Sequence, residues 1–207
     1  QEPDVKKILA AAAKKAIAVH AAGEKEFNQM SSLSTPPGIL AVIRKDKEFL
    51  EEGELYLMLD AVKDPGNLGT IIRTADWFGI RNMILGEGTV ELHNPKVFQS
   101  SMGSVFHLNA VQNVNLADKI KALKSKGYKI IATSAAGTEN APEIKGRKYA
   151  IVMGNETFGI SEKVLALADV KYRIPVSGRA ESLNVSVAAG IALFALIGKR
   201  PVTPVPH

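Results

Sequence analysis

From Glu54 onward, short runs of apolar and β-branched residues alternate with longer stretches of helical period. The runs LYLMLD (55–60), NMILG (82–86), HLNAV (107–111), YKIIATS (128–134), YAIVM (149–153) and KYRI (171–174) are predicted strands. Between them, helices are predicted over Leu68–Phe78, from Pro95 to about Met102, over Leu116–Lys126 and Ser161–Ala168, with a last one over Ser182–Lys199. Asn94-Pro95 has the form of an N-cap followed by proline at the first helical position. Such alternation predicts an α/β domain built on a largely parallel sheet. Upstream, residues 4–18 space apolar residues at helical intervals with lysines between them, as in an amphipathic surface helix. SSLSTPPG (31–38) is a loop or linker by composition, so a domain boundary falls nearby, and the tail RPVTPVPH is expected to be extended.

Composition narrows the class. At 207 residues the chain has room for one ordinary domain and part of a second. With 46% hydrophobic and 23% charged residues and no long apolar run, it reads as a soluble globular chain in which neither a spanning helix nor a signal-peptide h-region is expected, and the cytoplasm is the expected compartment. The absence of cysteine excludes disulfides, thiolate-held metals and a thiol nucleophile. Four histidines (His20, His93, His107, His207) lie without ligand spacing, so no metal site is expected. A net charge of +5 suits a polyanionic partner without specifying one.

Three segments carry candidate chemistry. In DPGNLGTIIRTADWFG (64–79) a strand ending at Asp60 turns through Pro65-Gly66 into a helix for which Asn67 is a plausible N-cap, and Arg73 follows six residues later. Both could reach a groove at the strand's carboxyl end, although a capped helix with a solvated arginine would look the same. In IVMGNETFGIS (151–161) a strand runs into a turn with Gly154, Gly159 and one carboxylate, Glu156, and Ser161 can cap the next helix. In RIPVSGRAESLNVSVAAGIALF (173–194) a strand ending at Ile174-Pro175 passes through a Ser-Gly loop into a helix starting near Ser182-Leu183-Asn184, whose free N–H groups suit a polar ligand. No strand is followed by G-x-G-x-x-G and there is no Walker loop, so any nucleotide-like ligand is held by another arrangement of loops.

NLGTIIRTA, VMGNETFGIS and IPVSGRAESLNVSVAAGIALF, in this order over residues 50–199, resemble the three signature motifs of the SpoU (TrmH-like) family of SPOUT RNA methyltransferases. The resemblance implies a parallel-sheet α/β fold with a carboxyl-terminal trefoil knot, a homodimer, and transfer of a methyl group from S-adenosyl-L-methionine to a ribose 2′-hydroxyl of RNA. On this sequence its catalytic positions fall on Asn67, Arg73, Glu156, Ser182 and Asn184. Its cofactor pocket falls on Thr133, Ser134, Gly154, Ile174, Pro175, Leu183 and Asn184, and it involves no metal. Residues 20–45 are similar to the end of the L30e-like RNA-binding domain that often precedes this catalytic domain. That gives a remnant of a partial α/β substrate-binding domain with its linker at 1–45 and a methyltransferase domain at 46–207. By analogy, the substrate is expected to be ribosomal rather than transfer RNA.

Two other functions fit parts of the pattern. Carbon-5 methylation of a pyrimidine commonly uses a cysteine nucleophile, which this chain lacks. A non-catalytic RNA-binding module would keep the fold without needing all three motifs intact. An arginine, with a pKa above about 12, is a poor base, so Arg73 is better suited to clamping phosphate and stabilising an alkoxide. The final helix offers Val185, Ala188, Ala189, Ala192 and Leu196 at helical spacing, either for a second copy or for its own sheet.

Overall fold

The computed structural model describes residues 4–31, 33, 35–44, 48–142, 144 and 148–198. Backbone contacts divide the chain into residues Gln1–Lys47 and Glu48–His207. Among the described residues, the first unit holds α1 (Val5–Lys14) and α2 (Glu24–Met30) and no strand. Asp4 caps α1, its Oδ1 accepting from the Lys7 N–H at 3.2 Å. That helix ends four residues before the hydrophobic pattern does, because Ala16 turns to a positive φ of 52°.

In the second unit, six strands form one parallel sheet. They are β1 (Leu55–Leu59), β2 (Asn82–Gly86), β3 (Asn109–Val114), β4 (Lys129–Thr138), β5 (Tyr149–Met153) and β6 (Val170–Tyr172). Their spatial order is β3-β2-β1-β5-β4-β6. The helices are α3 (Pro65–Trp77), α4 (Pro95–Ser101), α5 (Leu116–Ser125), α6 (Glu162–Leu165) and α7 (Val185–Ile197), with a 3₁₀ turn at Ser104–His107. Leu57, Leu59, Met83, Leu85, Ile131, Ile151 and Met153 point to the face covered by α3, α4 and α7. Their neighbours Tyr56, Met58, Ile84, Ile130, Ala132, Ala150 and Val152 point to the face covered by α5 and α6. Side chains alternate along a strand, so a sheet covered on both faces requires strands apolar at nearly every position. That is why the strand runs are uninterrupted in the sequence.

The chain first builds outward from β1 to β2 and β3, then crosses to place β4, β5 and β6 on the other side of β1. Between β1 and β5 the direction of winding therefore changes, and loops leaving these two carboxyl ends diverge, the usual place for a site in an open parallel sheet.

Several boundaries differ from expectation, each for a local reason. Helix α3 starts at Pro65, three residues before the predicted Leu68, because Asp64 rather than Asn67 is the N-cap: its Oδ1 accepts from the Asn67 N–H at 2.7 Å. Arg73 thus belongs to the third turn, not the second. Helix α7 starts at Val185 with Asn184 as N-cap, so Ser182 and Leu183 precede the helix instead of beginning it. Strand β3 begins at Asn109, since residues 104–107 close into the 3₁₀ turn after two positive-φ residues, Met102 and Gly103. Of the stripe on α7, Val185, Ala189, Ala192 and Leu196 are buried in the chain's own core and Ala188 is half-buried against it, so this stripe is turned inward. The tail RPVTPVPH lies outside the described residues. No helix among the described residues is long and apolar enough to cross a membrane.

Candidate functional site at the switch between β1 and β5

Because Asp64 caps α3, the side chain of Asn67 is free for a distant partner. Its Nδ2 donates to Glu156 Oε1 at 3.1 Å, and its Oδ1 accepts from Asn184 Nδ2 at 3.0 Å. One residue from each of the three segments singled out in the sequence is thus joined in a single chain of hydrogen bonds. Its polarity is determined at both ends. An ionised carboxylate only accepts, so Asn67 must present its amide N–H₂ to Glu156 and its carbonyl to Asn184. Asn184 Oδ1 meanwhile accepts from the Ser186 N–H at 2.9 Å, the Ser186 hydroxyl at 2.6 Å and the Val187 N–H at 3.4 Å, which leaves its N–H₂ for Asn67.

Glu156 also receives the backbone N–H groups of Lys63 (3.3 Å) and Asp64 (3.2 Å), just ahead of α3. Burial pushes its pKa up, but hydrogen bonds from its own backbone, Asn67, Asp64 and Lys63 outweigh that and hold it below the ordinary glutamate value. Ionised and fully engaged, Glu156 is arranged to brace the loop after β1.

The sign of its pH effect follows from that direction. A carboxylate with a lowered folded pKa contributes stability above its unfolded value, about 4.3, and loses it as pH falls through the folded pKa. Glu156→Gln is expected to flatten the acid limb of the thermal midpoint below about pH 4.3. At pH 7 it should cost about 1–3 kcal/mol, because an amide N–H₂ must face a backbone donor. Thermal unfolding across pH checks both; an unaltered acid limb would remove Glu156 from this role.

Three residues that sequence reasoning passed over complete the brace. Asp60, buried at the end of β1, accepts from the Ser161 N–H (2.8 Å) and hydroxyl (2.7 Å). Ser161 is the N-cap of α6 by position, but its side chain serves Asp60 instead of the helix. Asn155 Nδ2 donates to the Ala61 carbonyl at 2.6 Å, holding Ala61 at a φ of 56°, which is uncommon outside glycine. Asp60 could have been noticed as the lone carboxylate closing an apolar run. Asn155 and Ala61 carry no pattern of their own.

The remaining candidates are not drawn into this chain. Arg73 is exposed and makes no hydrogen bond or ion pair with any described residue, and it lies about 9 Å further along α3 than Asn67, on a different side of the helix. Ser182 is exposed ahead of α7. Thr133 is the last paired residue of β4 before residues 134–137, Ser134 first among them, bulge out, because Thr133 and Thr138 both pair with Tyr172. Thr133 Oγ1 donates to the Val152 carbonyl at 3.2 Å, and Ser134 Oγ accepts from the Ala136 N–H at 3.3 Å. Ile174 is half-buried, while Pro175 and Leu183 are exposed in the loop between β6 and α7. The loops carrying Thr133, Gly154 and Ile174 leave adjacent strands at one edge of the sheet. They offer hydroxyls and apolar side chains together, a set that fits an adenosine bearing a sulfonium side arm.

Two cavities of about 220 Å³ flank Asp60, one reaching Glu87 and Lys163 and the other lying between Lys63 and Phe158. Neither is lined by the residues assigned to the cofactor. Among the described residues no cluster of three or more acidic or histidine side chains could hold a metal ion.

Residues 1–49 match the family described as RNA 2'-O ribose methyltransferase substrate binding. The 23S rRNA (guanosine(2553)-2'-O)-methyltransferase RlmP of Bacillus subtilis is 39% identical over 176 residues, covering 84% of this chain and 71% of that protein. A putative RNA methyltransferase of the TrmH family from Porphyromonas gingivalis superposes with a TM-score of 0.73 at 33% identity, over 84% of this chain and 71% of its own. An AdoMet-bound rRNA methyltransferase from Sinorhizobium meliloti superposes with a TM-score of 0.65 at 39% identity, over 70% of this chain and 56% of its own. Residues 54–194, from the start of β1 into α7, take in all three loops that the Asn184–Asn67–Glu156 chain ties together, and over that whole span the sequence matches, and the protein belongs to, the SpoU rRNA Methylase family.

Proposed function

We propose that this protein is a cytoplasmic enzyme that methylates a ribose 2′-hydroxyl of RNA, ribosomal rather than transfer RNA, using S-adenosylmethionine. The observation that carries the proposal is the hydrogen-bonded line from Asn184 through Asn67 to Glu156, which unites the three motifs at the switch point of the sheet. The match of residues 1–49 to a substrate-binding family and the name of the Bacillus relative support RNA, and ribosomal RNA in particular.

When bound, S-adenosylmethionine supplies a methyl group on a sulfonium. Thr133, Ser134, Gly154, Ile174, Pro175 and Leu183 would hold it against the ends of β4, β5 and β6, with Asn184 linking this pocket to Asn67. The chain's task is then placement: the ribose oxygen must approach in line and give up its proton in a site that holds both partners at near-attack distance. Glu156 keeps Asn67 in one orientation. Arg73, with no partner among the described residues, is available for a phosphate next to the target ribose and for the developing alkoxide.

The enzyme works as a symmetric homodimer. With its inward stripe committed to the core, α7 still exposes Val187, Ile191 and Phe194 at helical spacing, the last 66% exposed. Helix α7 packs on α3 where Gly190 approaches Thr74, and α3 exposes Trp77 (85%) one turn beyond Arg73. A twofold partner seated on this apolar surface would place Arg73 at the boundary between subunits, so Arg73 of one chain can serve the site of the other.

Transfer of labelled methyl from S-adenosylmethionine to ribosomal RNA, with mapping of 2′-O-methyl positions in cells with and without the gene, tests the activity. Saturable cofactor binding without transfer to any RNA would refute it, and no cofactor binding would favour a non-catalytic RNA-binding module. For the dimer, sedimentation at low micromolar concentration should give about twice 22.2 kDa. Mixing Arg73→Ala with Asn184→Ala subunits should restore activity. A fully active monomer would sink the dimer; a dimer without complementation would remove only the shared site.

A further inference from the structure

Phe158 is 85% exposed although the turn that carries it is tightly fixed. Asn155 and Gly159 exchange backbone hydrogen bonds at 2.8 and 3.0 Å. Asn155 Oδ1 accepts from the Thr157 N–H (2.8 Å) and the Phe158 N–H (3.1 Å). Gly159 completes the turn at a φ of 69°, where a side chain would be strained. The ring is thus held out in water by a structured turn two residues from Glu156, where a polar residue would carry no hydrophobic cost.

Its surroundings indicate what covers it. The ring borders the cavity of about 220 Å³ whose other walls are Asp60, Ala61, Lys63, Asn155, Gly159 and Ser161. A protein interface core would surround such a ring with apolar residues and few charges. Here the Asp60 carboxylate is occupied by the Ser161 N–H and hydroxyl, and the Asn155 amide by the Ala61 carbonyl and by N–H groups of its own turn. That leaves the flat aromatic ring and the Lys63 ammonium for a ligand, which suits a nucleobase on the ring with its phosphate beside the ammonium. The apolar surface of α7 and Trp77 is a separate feature, since Trp77 lies at the far end of α3, about 18 Å of helix from the loop that bears Lys63.

We propose that Phe158 is a stacking platform for a base of the RNA substrate, with Lys63 engaging a neighbouring phosphate. This rests on the reading of the protein as an RNA methyltransferase and deepens it: a base held here would be fixed relative to Asn67 and Glu156, so the ring selects unstacked, single-stranded nucleotides. Duplex RNA, whose bases stack on one another, would not engage it.

The test compares wild type, Phe158→Ala, Phe158→Trp and Lys63→Ala for binding to a short single-stranded RNA and to the same strand made abasic. Affinity for a cofactor, thermal midpoint and sedimentation are followed in parallel. Phe158→Ala should weaken binding of the base-bearing strand about 5- to 150-fold and leave the abasic strand unaffected. Phe158→Trp should bind like wild type, and Lys63→Ala should weaken both strands and reduce the salt dependence. Equal loss for both strands, or no rescue by tryptophan, would overturn stacking. A shift to monomer in Phe158→Ala with RNA affinity intact would assign the ring to a protein contact instead. If wild type binds RNA but transfers no methyl group, the enzymatic reading fails while the strand comparison still decides the role of Phe158.

Discussion

Replacing Arg73 by alanine is expected to abolish methyl transfer, by about 100-fold or more, while affinity for S-adenosylmethionine and thermal stability stay at wild-type values. The structure separates these readouts. Arg73 makes no hydrogen bond or ion pair with any described residue and is exposed on α3, so its removal leaves the fold unaltered. The loops assigned to the cofactor lie at the ends of β4, β5 and β6, whereas α3 follows β1. Arg73→Lys should recover little, because a point-charge ammonium does not replace a planar fork that meets phosphate through two hydrogen bonds. Isothermal calorimetry with the cofactor and a methyl-transfer assay on ribosomal RNA measure both sides. A large loss of cofactor binding would contradict the assignment.

Gly154→Ala is expected to be the most damaging single methyl group in the molecule. A Cβ at this position would lie 2.2 Å from the Gly159 carbonyl carbon and 2.3 Å from the Ile160 nitrogen. Both obstacles are backbone, so no side chain can turn away, and the strand end and the returning turn must separate. Overpacking of this kind costs about 3 kcal/mol or more, against a total stability of about 5–15 kcal/mol for a domain. The thermal midpoint should fall by about 6–12 °C for a chain of this size. Separation would also pull Glu156 from the Lys63 and Asp64 amides, so residual folded protein should be inactive. Gly178→Ala, where an added Cβ meets nothing within 4 Å, provides the contrast and should leave the midpoint in place. An undisturbed midpoint for Gly154→Ala would show that the glycine serves only a ligand.

Gly154, Asn67 and Asn184 show how differently a motif can encode its parts. In the sequence Gly154 is one of two glycines in the turn after a strand, and the structure shows why it is needed: the backbone of the protein's own returning turn, at Gly159 and Ile160, comes close to it. Asn67 looked like a helix cap, and an asparagine between a turn and a helical run gives no other sign. Only the position of Asp64, three residues earlier, releases its side chain for Glu156, 89 residues away. For Asn184 the cap and the long-range bond are both present, because its oxygen and its nitrogen face different partners.

By itself the sequence determined the class of fold and the three segments of interest. Period and burial are local consequences of strands covered on both faces and helices covered on one, so uninterrupted apolar runs and spaced stripes announce them. Helix starts were off by up to three residues, since neighbouring Asp, Asn and Ser compete for one cap and the winner depends on the whole turn. The resemblance of the motifs supplied which residues to compare. What only the tertiary structure decided is which of them meet. The order of strands places the ends of β1 and β5 side by side, bringing Asn67, Glu156 and Asn184 within hydrogen-bond reach while leaving Arg73 and Ser182 outside it. Contacts across 89 and 117 residues depend on strand order and helix direction, which no local period encodes. The same holds for α7: its composition shows an apolar helix, but only packing on the sheet divides it into a buried stripe and the exposed Val187, Ile191 and Phe194.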